Sequence, residues 1–382
     1  MFKKTFYYLF LILLTLSCKQ ENKNDSVKNS KDTNYLKIVD SVVFSIGSKV
    51  YYKSFQTHVF KSFDTTLLYR SNFLNQSIDI IDFTNKSMIN SKTFAGIQKF
   101  GGSAFIPLSK DSIFLGSLMG EIYIKNNDSL VTKNIGNKRM NEIRFYGKNP
   151  FKPIQIDNEI FLYNPANERQ SESSFENRPL LSSYNLETNS LKIRNFKYPS
   201  SFYNNCWAEQ QFPISFTKSN NNKIVISLST ESNMYLYDPK LDSVITEINT
   251  AKSKYINDIT PYTKCDFTDV SSYFKYLKSV GRYRSIEYDS VNNVYYRIVS
   301  LPTEKKLTGQ RTQDIEVPLS VIVLDENFKI ITERRLPSET YDPTDYFITD
   351  RGLWLSTNNE KSNSFNENQL SYVLFQLDKD EL

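Results

Sequence analysis

A single histidine, His58, restricts the metal and acid–base chemistry open to this chain. Zinc sites and similar metal centres usually need several histidines or cysteines, so we expect no metal site and no cofactor. A Ser-His-Asp triad would require His58 as its base, but no Gly-x-Ser-x-Gly elbow presents a serine nucleophile. His58 also precedes the strand-like pair Val59-Phe60, which favours a structural or surface histidine.

Paired carboxylates are the remaining route to catalysis. Two acids that flank a glycosidic bond hydrolyse it, one as the acid and the other as base or nucleophile. Glu287 with Asp289, and Asp342 with Asp345, are the pairs that the sequence offers. Carboxylates in turns more often accept hydrogen bonds from their own backbone. A carboxylate-dependent glycan hydrolase or lyase therefore stands as the alternative to a binding function.

Arginine and tyrosine concentrate in one stretch of the chain. These residue types anchor protein interfaces and bind sugars or acidic groups. The competing interpretation, which we favour, is that strand aromatics pack between neighbouring sheets. If the protein has a ligand-binding site, its candidate residues are Arg282, Tyr283, Arg284, Tyr288, Tyr295, Tyr296 and Arg297.

Short β-rich segments, separated by Asn, Asp, Ser and Lys turns, must position all of these side chains. Alternation of apolar residues, as at Ile224, Ile226 and Leu228, is typical of strands. The segments group into six similar units, and a spacing of roughly 40–50 residues is the blade length of propellers. The units cover 60–94, 105–135, 153–198, 212–250, 283–336 and 346–377.

These units predict an all-β fold, a six-bladed β-propeller over residues 35–382. A large β-sandwich is the alternative. The extra strand Leu36–Ile46 has no unit of its own, so we expect it to supply the missing strand of the last blade. Helical spacing of Val270, Phe274, Leu277 and Val280 predicts one short inserted helix, with Asp269 or Thr268 as its cap and Gly281 at its end.

The N-terminus has the order of a secretory signal. Lys3 and Lys4 precede an apolar run, 6–16, that is shorter than the roughly 20 residues a membrane-spanning helix needs. Ser17 then stands before Cys18, which resembles the lipobox of bacterial lipoproteins, except that Thr15 replaces the usual leucine. We predict a signal peptide over 1–17 and lipid on Cys18.

The polar stretch that follows, 18–34, predicts a lipidated flexible tether because it has too little apolar surface to fold. The protein would then lie in the cell envelope, lipid-anchored on a periplasmic face or the outer-membrane surface. A mean hydropathy of −0.47 excludes a polytopic membrane protein. The formal charge of +5, with scattered basic residues, gives no support for nucleic-acid binding. Lipid on Cys18 leaves Cys206 and Cys265, and the sequence leaves open whether they form a disulfide.

The chain resembles a family of Bacteroidota lipoproteins grouped as domain of unknown function 4221, described as TolB-like six-bladed propellers. The resemblance covers nearly all of 35–382 and is carried by 108–115, 284–297, 321–328 and 346–356. It implies fold and location but no activity and no catalytic residues. We therefore expect a membrane-anchored envelope lipoprotein whose propeller binds a partner protein or an envelope ligand such as a glycan.

Overall fold

The computed structural model describes residues 35–47, 50–94, 96–97, 100–127, 129–133, 145–164, 176, 178–203, 205–207, 213–262, 269–303 and 317–378. The predicted signal peptide, Cys18, the tether and Cys265 lie outside these residues. From Tyr35 onward the chain forms one unit.

Six antiparallel sheets, each of four strands, build the described part of the chain. Each sheet is made of strands that follow one another in sequence, and the sixth also includes the first strand of the chain. The first three blades contain β2 (Thr57–Ser62), β3 (Thr65–Asn72), β4 (Ser77–Asp82) and β5 (Ser87–Thr93); β6 (Ala104–Pro107), β7 (Ser112–Gly116), β8 (Ile122–Asn126) and β9 (Ser129–Lys133); and β10 (Ile154–Ile156), β11 (Glu159–Tyr163), β12 (Pro179–Asn185) and β13 (Ser190–Lys197).

Blades 4 to 6 repeat this arrangement and confirm the predicted six-bladed propeller. Their strands are β14 (Ile214–Lys218), β15 (Ile224–Leu228), β16 (Met234–Asp238) and β17 (Ser243–Ile248); β18 (Arg282–Asp289), β19 (Val294–Ser300), β20 (Leu319–Leu324) and β21 (Ile330–Leu336); and β22 (Asp342–Thr349), β23 (Gly352–Ser356) and β24 (Gln369–Leu377), followed at the outer edge by β1 (Leu36–Ser45).

β1 and β24 pair in antiparallel register, with Leu36 opposite Leu377 and Ser45 opposite Gln369. The first strand of the chain therefore completes the sheet formed by the last three. This is the position that the sequence predicts for Leu36–Ile46, and it ties the two ends of the domain together.

Six hydrophobic clusters hold the ring together, and each contains side chains from two neighbouring blades. Blade 1 shares Tyr69 and Ile80 with Phe105 of blade 2, and blade 6 shares Trp354 with Leu68 of blade 1. The clusters link blades 1 to 6 in order and then return to blade 1. Most apolar burial, the main favourable term in folding, therefore lies between blades.

The predicted inserted helix is α1 (Val270–Ser279), between β17 and β18. Asp269 caps it, because its carboxylate accepts a hydrogen bond from the Ser272 amide at 3.0 Å. Gly281, which follows the helix, is required because neighbouring residues leave no room for a side chain. A Cβ at that position would lie 2.4 Å from Ile256 and 2.8 Å from the Ser300 carbonyl oxygen.

The two ends of the ring differ in the length of their connections. We call the end where inner strands finish the turn face; its turns are short, such as the two residues Phe63–Asp64. The end where inner strands begin is the loop face. The long connections between strands begin and end at this face; they are 46–56, 94–103, 134–153, 164–178, 198–213, 249–281, 301–318 and 357–368.

The described residues contain no helix long and apolar enough to cross a membrane. Cys206, on the loop between β13 and β14, is disulfide-bonded. The chain has two other cysteines, Cys18 and Cys265, and both lie outside the described residues.

Candidate functional site

Arg297 and Tyr283, two of the predicted ligand-binding residues, are buried in the structure. The Arg297 guanidinium lies 3.7 Å from the centre of the Tyr283 ring. It donates hydrogen bonds to the carbonyl oxygens of Glu231, Ser232 and Ala251 at 2.6–3.0 Å. These three carbonyl groups lie in loops that follow strands of blade 4, so Arg297 holds those loops against blade 5.

The predicted tyrosines of blade 5 also pack inside the ring. Tyr295 is buried between Tyr288 and Phe328, with ring centres 4.7 and 4.9 Å apart. Tyr296 points to the other side of β19, into the cluster shared with blade 6. Side chains alternate across a strand, so these residues divide between two blade interfaces and do not form one surface. Their positions agree with the competing interpretation, in which these aromatic side chains pack between neighbouring blades.

Arg282 and Arg284 remain half-buried at the loop-face end of β18. Arg284 is the extra residue of a β-bulge between Tyr283 and Ser285, and its guanidinium donates to the Ser300 hydroxyl at 3.0 Å. Bulges often re-aim a side chain beside a functional site. Of the seven predicted residues, these two and Tyr288 are half-buried, and the other four are buried.

The first predicted carboxylate pair is divided between two structural tasks. Asp289 accepts hydrogen bonds from the amides of Val291 and Asn292 at 3.1 and 2.9 Å, which closes a turn. Glu287 is buried and forms an ion pair with Lys152 at 2.9 Å. Burial raises the pKa of Glu287, and the Lys152 charge opposes that shift.

The second pair is also split. Asp345 is buried against Arg70, whose guanidinium donates to it at 2.7 Å, and it accepts further bonds from Thr57 and Tyr372, both at 2.9 Å. This network joins blade 6 to blade 1. Asp342 accepts bonds from the amide and hydroxyl of Thr344 at 2.8 and 2.6 Å. Neither predicted pair presents two carboxylates without protein partners.

A segment before blade 3 crosses the centre of the ring. It includes the 3-10 turn Asn149–Phe151, which contacts β14, β18 and β22. The Asn149 side chain accepts from the Thr57 amide at 2.7 Å and donates to the carbonyl oxygens of Thr344 and Tyr346 at 2.8 and 3.2 Å. One asparagine thereby bridges blade 1 and blade 6.

Lys152 follows this turn and places a charge inside the ring. Besides its ion pair with Glu287, its ammonium lies 5.6 Å from the centre of the Tyr346 ring. Burial, together with the Lys152 charge, lowers the pKa of His58 well below its usual value. His58 is therefore neutral at physiological pH and packs against Phe105 with ring centres 5.0 Å apart, as a structural histidine does.

Two buried hydroxyl groups lie beside this charge pair, on Ser285 and Tyr346. Neither has a hydrogen-bond partner of good geometry among the described residues. The Ser285 hydroxyl lies near enough to Tyr346 to lower its pKa, but burial outweighs this and the pKa of Tyr346 is raised well above its usual value. At this point the interior, which is otherwise apolar between blades 5 and 6, has hydrogen-bonding capacity to spare.

Asp342 makes the free energy of unfolding depend on pH. Burial raises its pKa from 3.8 to about 6. Because the folded form binds the proton more tightly, this contribution to stability is full below pH 4 and is lost as pH rises through 6. A shift of two units corresponds to about 3 kcal/mol. We expect Asp342→Asn to raise the free energy of unfolding at pH 7.5 by about 1–3 kcal/mol.

Urea unfolding at pH 4.5 and pH 7.5 measures this effect. The difference in stability between the two pH values should shrink in Asp342→Asn. The exposed residue Asp258 supplies the control, since Asp258→Asn should follow the unsubstituted protein. An unchanged pH dependence in Asp342→Asn would show that another group carries it.

A patch of half-buried aromatic side chains lies on the loop face beside the crossing segment. The Tyr51 ring centre is 4.8 Å from Tyr52 and 4.9 Å from Phe73, and Phe73 stacks on Phe55 at 5.2 Å. Phe365 adds a contact with Tyr52 at 5.1 Å. We call these residues, with Tyr146, the aromatic patch. Each of these residues is partly exposed to solvent.

Two lysines accompany the aromatic patch. The Lys148 ammonium lies 5.2 Å from the Tyr146 ring centre and 5.8 Å from that of Phe55. Lys53 lies 5.6 Å from the Tyr52 ring centre and also pairs with Glu360. Partly exposed aromatic rings beside cations can bind a ring face, an apolar group or an anion.

The buried ion pair of Arg70 positions the aromatic patch. Arg70 donates to the carbonyl oxygens of Tyr51 and Tyr52 at 3.4 and 2.9 Å while it holds Asp345. The Asn149 amide donates to the Phe55 carbonyl oxygen at 2.7 Å. The backbone under the aromatic patch is therefore held by hydrogen bonds from two buried residues of the ring, Arg70 and Asn149.

The sequence interpretation missed the aromatic patch. Its one local signal is the run Tyr51-Tyr52-Lys53-Ser54-Phe55 between β1 and β2. Phe73 reaches that run through the pairing of β2 with β3, whereas Phe365 is far from it in sequence and meets it because blade 6 lies beside blade 1. Within the described ranges, no group of three or more His, Cys, Asp or Glu side chains could hold a metal ion.

Comparisons with known proteins place this geometry in a family. A crystal structure of a DUF4221 family member from Bacteroides vulgatus is 20% identical, has a TM-score of 0.77, and covers 90% of this chain and 98% of that chain. Lower similarity is found to a calcium-binding regucalcin from Agrobacterium tumefaciens, which is 10% identical with a TM-score of 0.48 over 87% of this chain and 92% of that one. Virginiamycin B lyase from Staphylococcus aureus is 9% identical, with a TM-score of 0.46 over 89% and 99%.

No curated protein sequence matches the chain. A family model described as a domain of unknown function, DUF4221, matches residues 33–335. Since this match spans most of the propeller, the chain belongs to the DUF4221 family.

Proposed function

We propose that this protein is a lipid-anchored envelope protein whose propeller binds a partner protein or an envelope ligand through the aromatic patch on its loop face. The observation that supports it is the concentration of half-buried aromatic rings and lysines on the face that also carries the long connections. Binding residues are found disproportionately on loops that a rigid scaffold positions.

The direction of the chain supports this assignment. β1 begins at Leu36, opposite the last residue of β24, so the chain enters the propeller at the turn face. A tether ending at Asn34 would therefore join the turn face to the membrane. The loop face, with the aromatic patch, would then point away from the anchor, towards components of the envelope.

A carboxylate-dependent glycan hydrolase or lyase is the second candidate. The raised pKa of Asp342, about 6, is suitable for a general acid. The other acids named from the sequence are held by Lys152, by Arg70 or within a turn. Because none of those three acids is free to act as base or nucleophile, we rank this candidate below binding.

Site-specific photo-crosslinking in intact cells tests the proposal. A benzophenone amino acid at Leu74, on the loop face beside Phe73, is compared with one at Leu241, on the turn face. The two side chains are matched in exposure, at 61% and 67%. We expect protein or glycan adducts to be several times more abundant from position 74. Equal yields, or more adducts from position 241, would contradict a binding role for the loop face.

A further inference from the structure

Phe63, at the tip of the turn between β2 and β3, is the most exposed large apolar side chain among the described residues. Its φ is +47°, in the left-handed region that aromatic residues rarely adopt. Most other non-glycine residues with positive φ here are Asn or Asp, which tolerate that region. Phe63 therefore carries two costs, backbone strain and full exposure, that an asparagine would avoid.

Exposed apolar side chains also lie at the turn face of two other blades. Val291 of blade 5 is 63% exposed and Leu241 of blade 4 is 67% exposed. The turn of blade 6 contacts blades 1 and 5, because Lys61 pairs with Asp350 at 3.0 Å and Asn292 donates to the Asp350 carbonyl oxygen at 3.4 Å. In the described turns of blades 2 and 3, no large apolar side chain is exposed to this degree.

The chain enters the propeller between two of the blades that carry these exposed apolar side chains. Leu36 begins β1 at the turn face of blade 6, between the blades that carry Val291 and Phe63. Cys18 to Asn34 is 17 residues, which reach at most about 60 Å when fully extended. Lipid on Cys18 would keep the turn face within that distance of the bilayer.

We propose that the turn face docks on the lipid surface, with Phe63 and Val291 entering the interfacial region of the bilayer. The proposal rests on the lipid anchor at Cys18. The apolar tips lie on blades 4, 5 and 1, around the blade at which the tether joins, which is where a tethered domain would meet its own membrane. Phenylalanine is among the apolar residues that interfacial segments bury at the boundary between head groups and acyl chains. Docking there would also fix the aromatic patch on the side away from the membrane.

Tryptophan fluorescence tests the proposal on the full-length, lipidated protein. Phe63→Trp and Leu74→Trp place the probe at opposite faces of the same blade, both in hairpin turns. Each variant is reconstituted in vesicles of phosphatidylethanolamine and phosphatidylglycerol that contain phosphatidylcholine brominated in its acyl chains. The native Trp207 and Trp354 are buried and give a common background.

We expect bromine to quench Phe63→Trp at least twice as strongly as Leu74→Trp, and Cys18→Ser to abolish the difference. Mass spectrometry of the N-terminal peptide reports separately whether Cys18 carries lipid. Lipid on Cys18 with equal quenching at the two positions would overturn docking and leave the anchor intact. Absence of lipid would overturn the anchor, and docking with it. A blue-shifted Phe63→Trp emission without bromine quenching would show that protein covers position 63, and would also overturn docking.

Discussion

The substitution Asp345→Asn is expected to lower the free energy of unfolding by about 3–5 kcal/mol, because it removes one charge of a buried pair and leaves the other charge without its partner. Arg70 and Asp345 are both nearly inaccessible to solvent, and their network joins the last blade to the first. The same Arg70 holds the backbone of Tyr51 and Tyr52. The variant should therefore loosen the aromatic patch as well as the closure of the ring.

Urea unfolding followed by tryptophan fluorescence measures this loss. The matched control is Asp350→Asn, which breaks an ion pair with Lys61 whose side chains are about half exposed. Exposed pairs contribute about 0–1 kcal/mol, so the control should differ little from the unsubstituted protein. Similar stabilities for the two variants would show that the Arg70 pair does not support the closure.

Arg297→Ala is expected to lower the free energy of unfolding by about 3 kcal/mol. The guanidinium satisfies three buried carbonyl groups and the Ser227 hydroxyl, and no carboxylate among the described residues forms an ion pair with it. Hydrogen bonds to a charged group are worth more than neutral ones, and their loss leaves acceptors unsatisfied. Burial lowers the pKa of Arg297 to about 10, so it remains charged at neutral pH.

Arg335→Ala is the control for this variant, because Arg335 lies exposed on the outer strand β21. Surface substitutions of this kind usually change stability by less than about 0.5 kcal/mol. The Arg297 result also separates two interpretations of the Arg/Tyr stretch. Loss of ligand binding with unchanged stability would favour the ligand-binding interpretation over packing between blades.

The repetition of strand pairs made the fold predictable from sequence. Strands such as Ile224–Leu228 have the apolar pattern of buried β-structure, and their turns are rich in Asn and Asp residues that adopt positive φ, such as Asn222 and Asp242. Local propensity, periodicity and turn chemistry agreed for each blade, which is when such a prediction succeeds. The inserted helix was predictable for the same reason, from its spacing and from Asp269.

The candidate site was less predictable because it is built from distant parts of the chain. Tyr288, Tyr295 and Arg297 are neighbours in sequence, but strand alternation and burial place them in blade interfaces. Lys152 and Glu287 meet only because a loop crosses the centre of the ring. The aromatic patch likewise depends on the approach of residues hundreds of positions apart, which local patterns do not encode.

The central claim, that the aromatic patch is the binding site, is tested most directly by affinity. The component that crosslinks at Leu74 is purified, and its equilibrium binding is compared for the unsubstituted protein, Phe365→Ala and Ile245→Ala. Phe365 belongs to the patch, whereas Ile245 is an exposed apolar residue on the outer strand β17. We predict at least tenfold weaker binding for Phe365→Ala, about 1.4 kcal/mol, and unchanged binding for Ile245→Ala. Equal affinity for all three proteins would contradict the assignment.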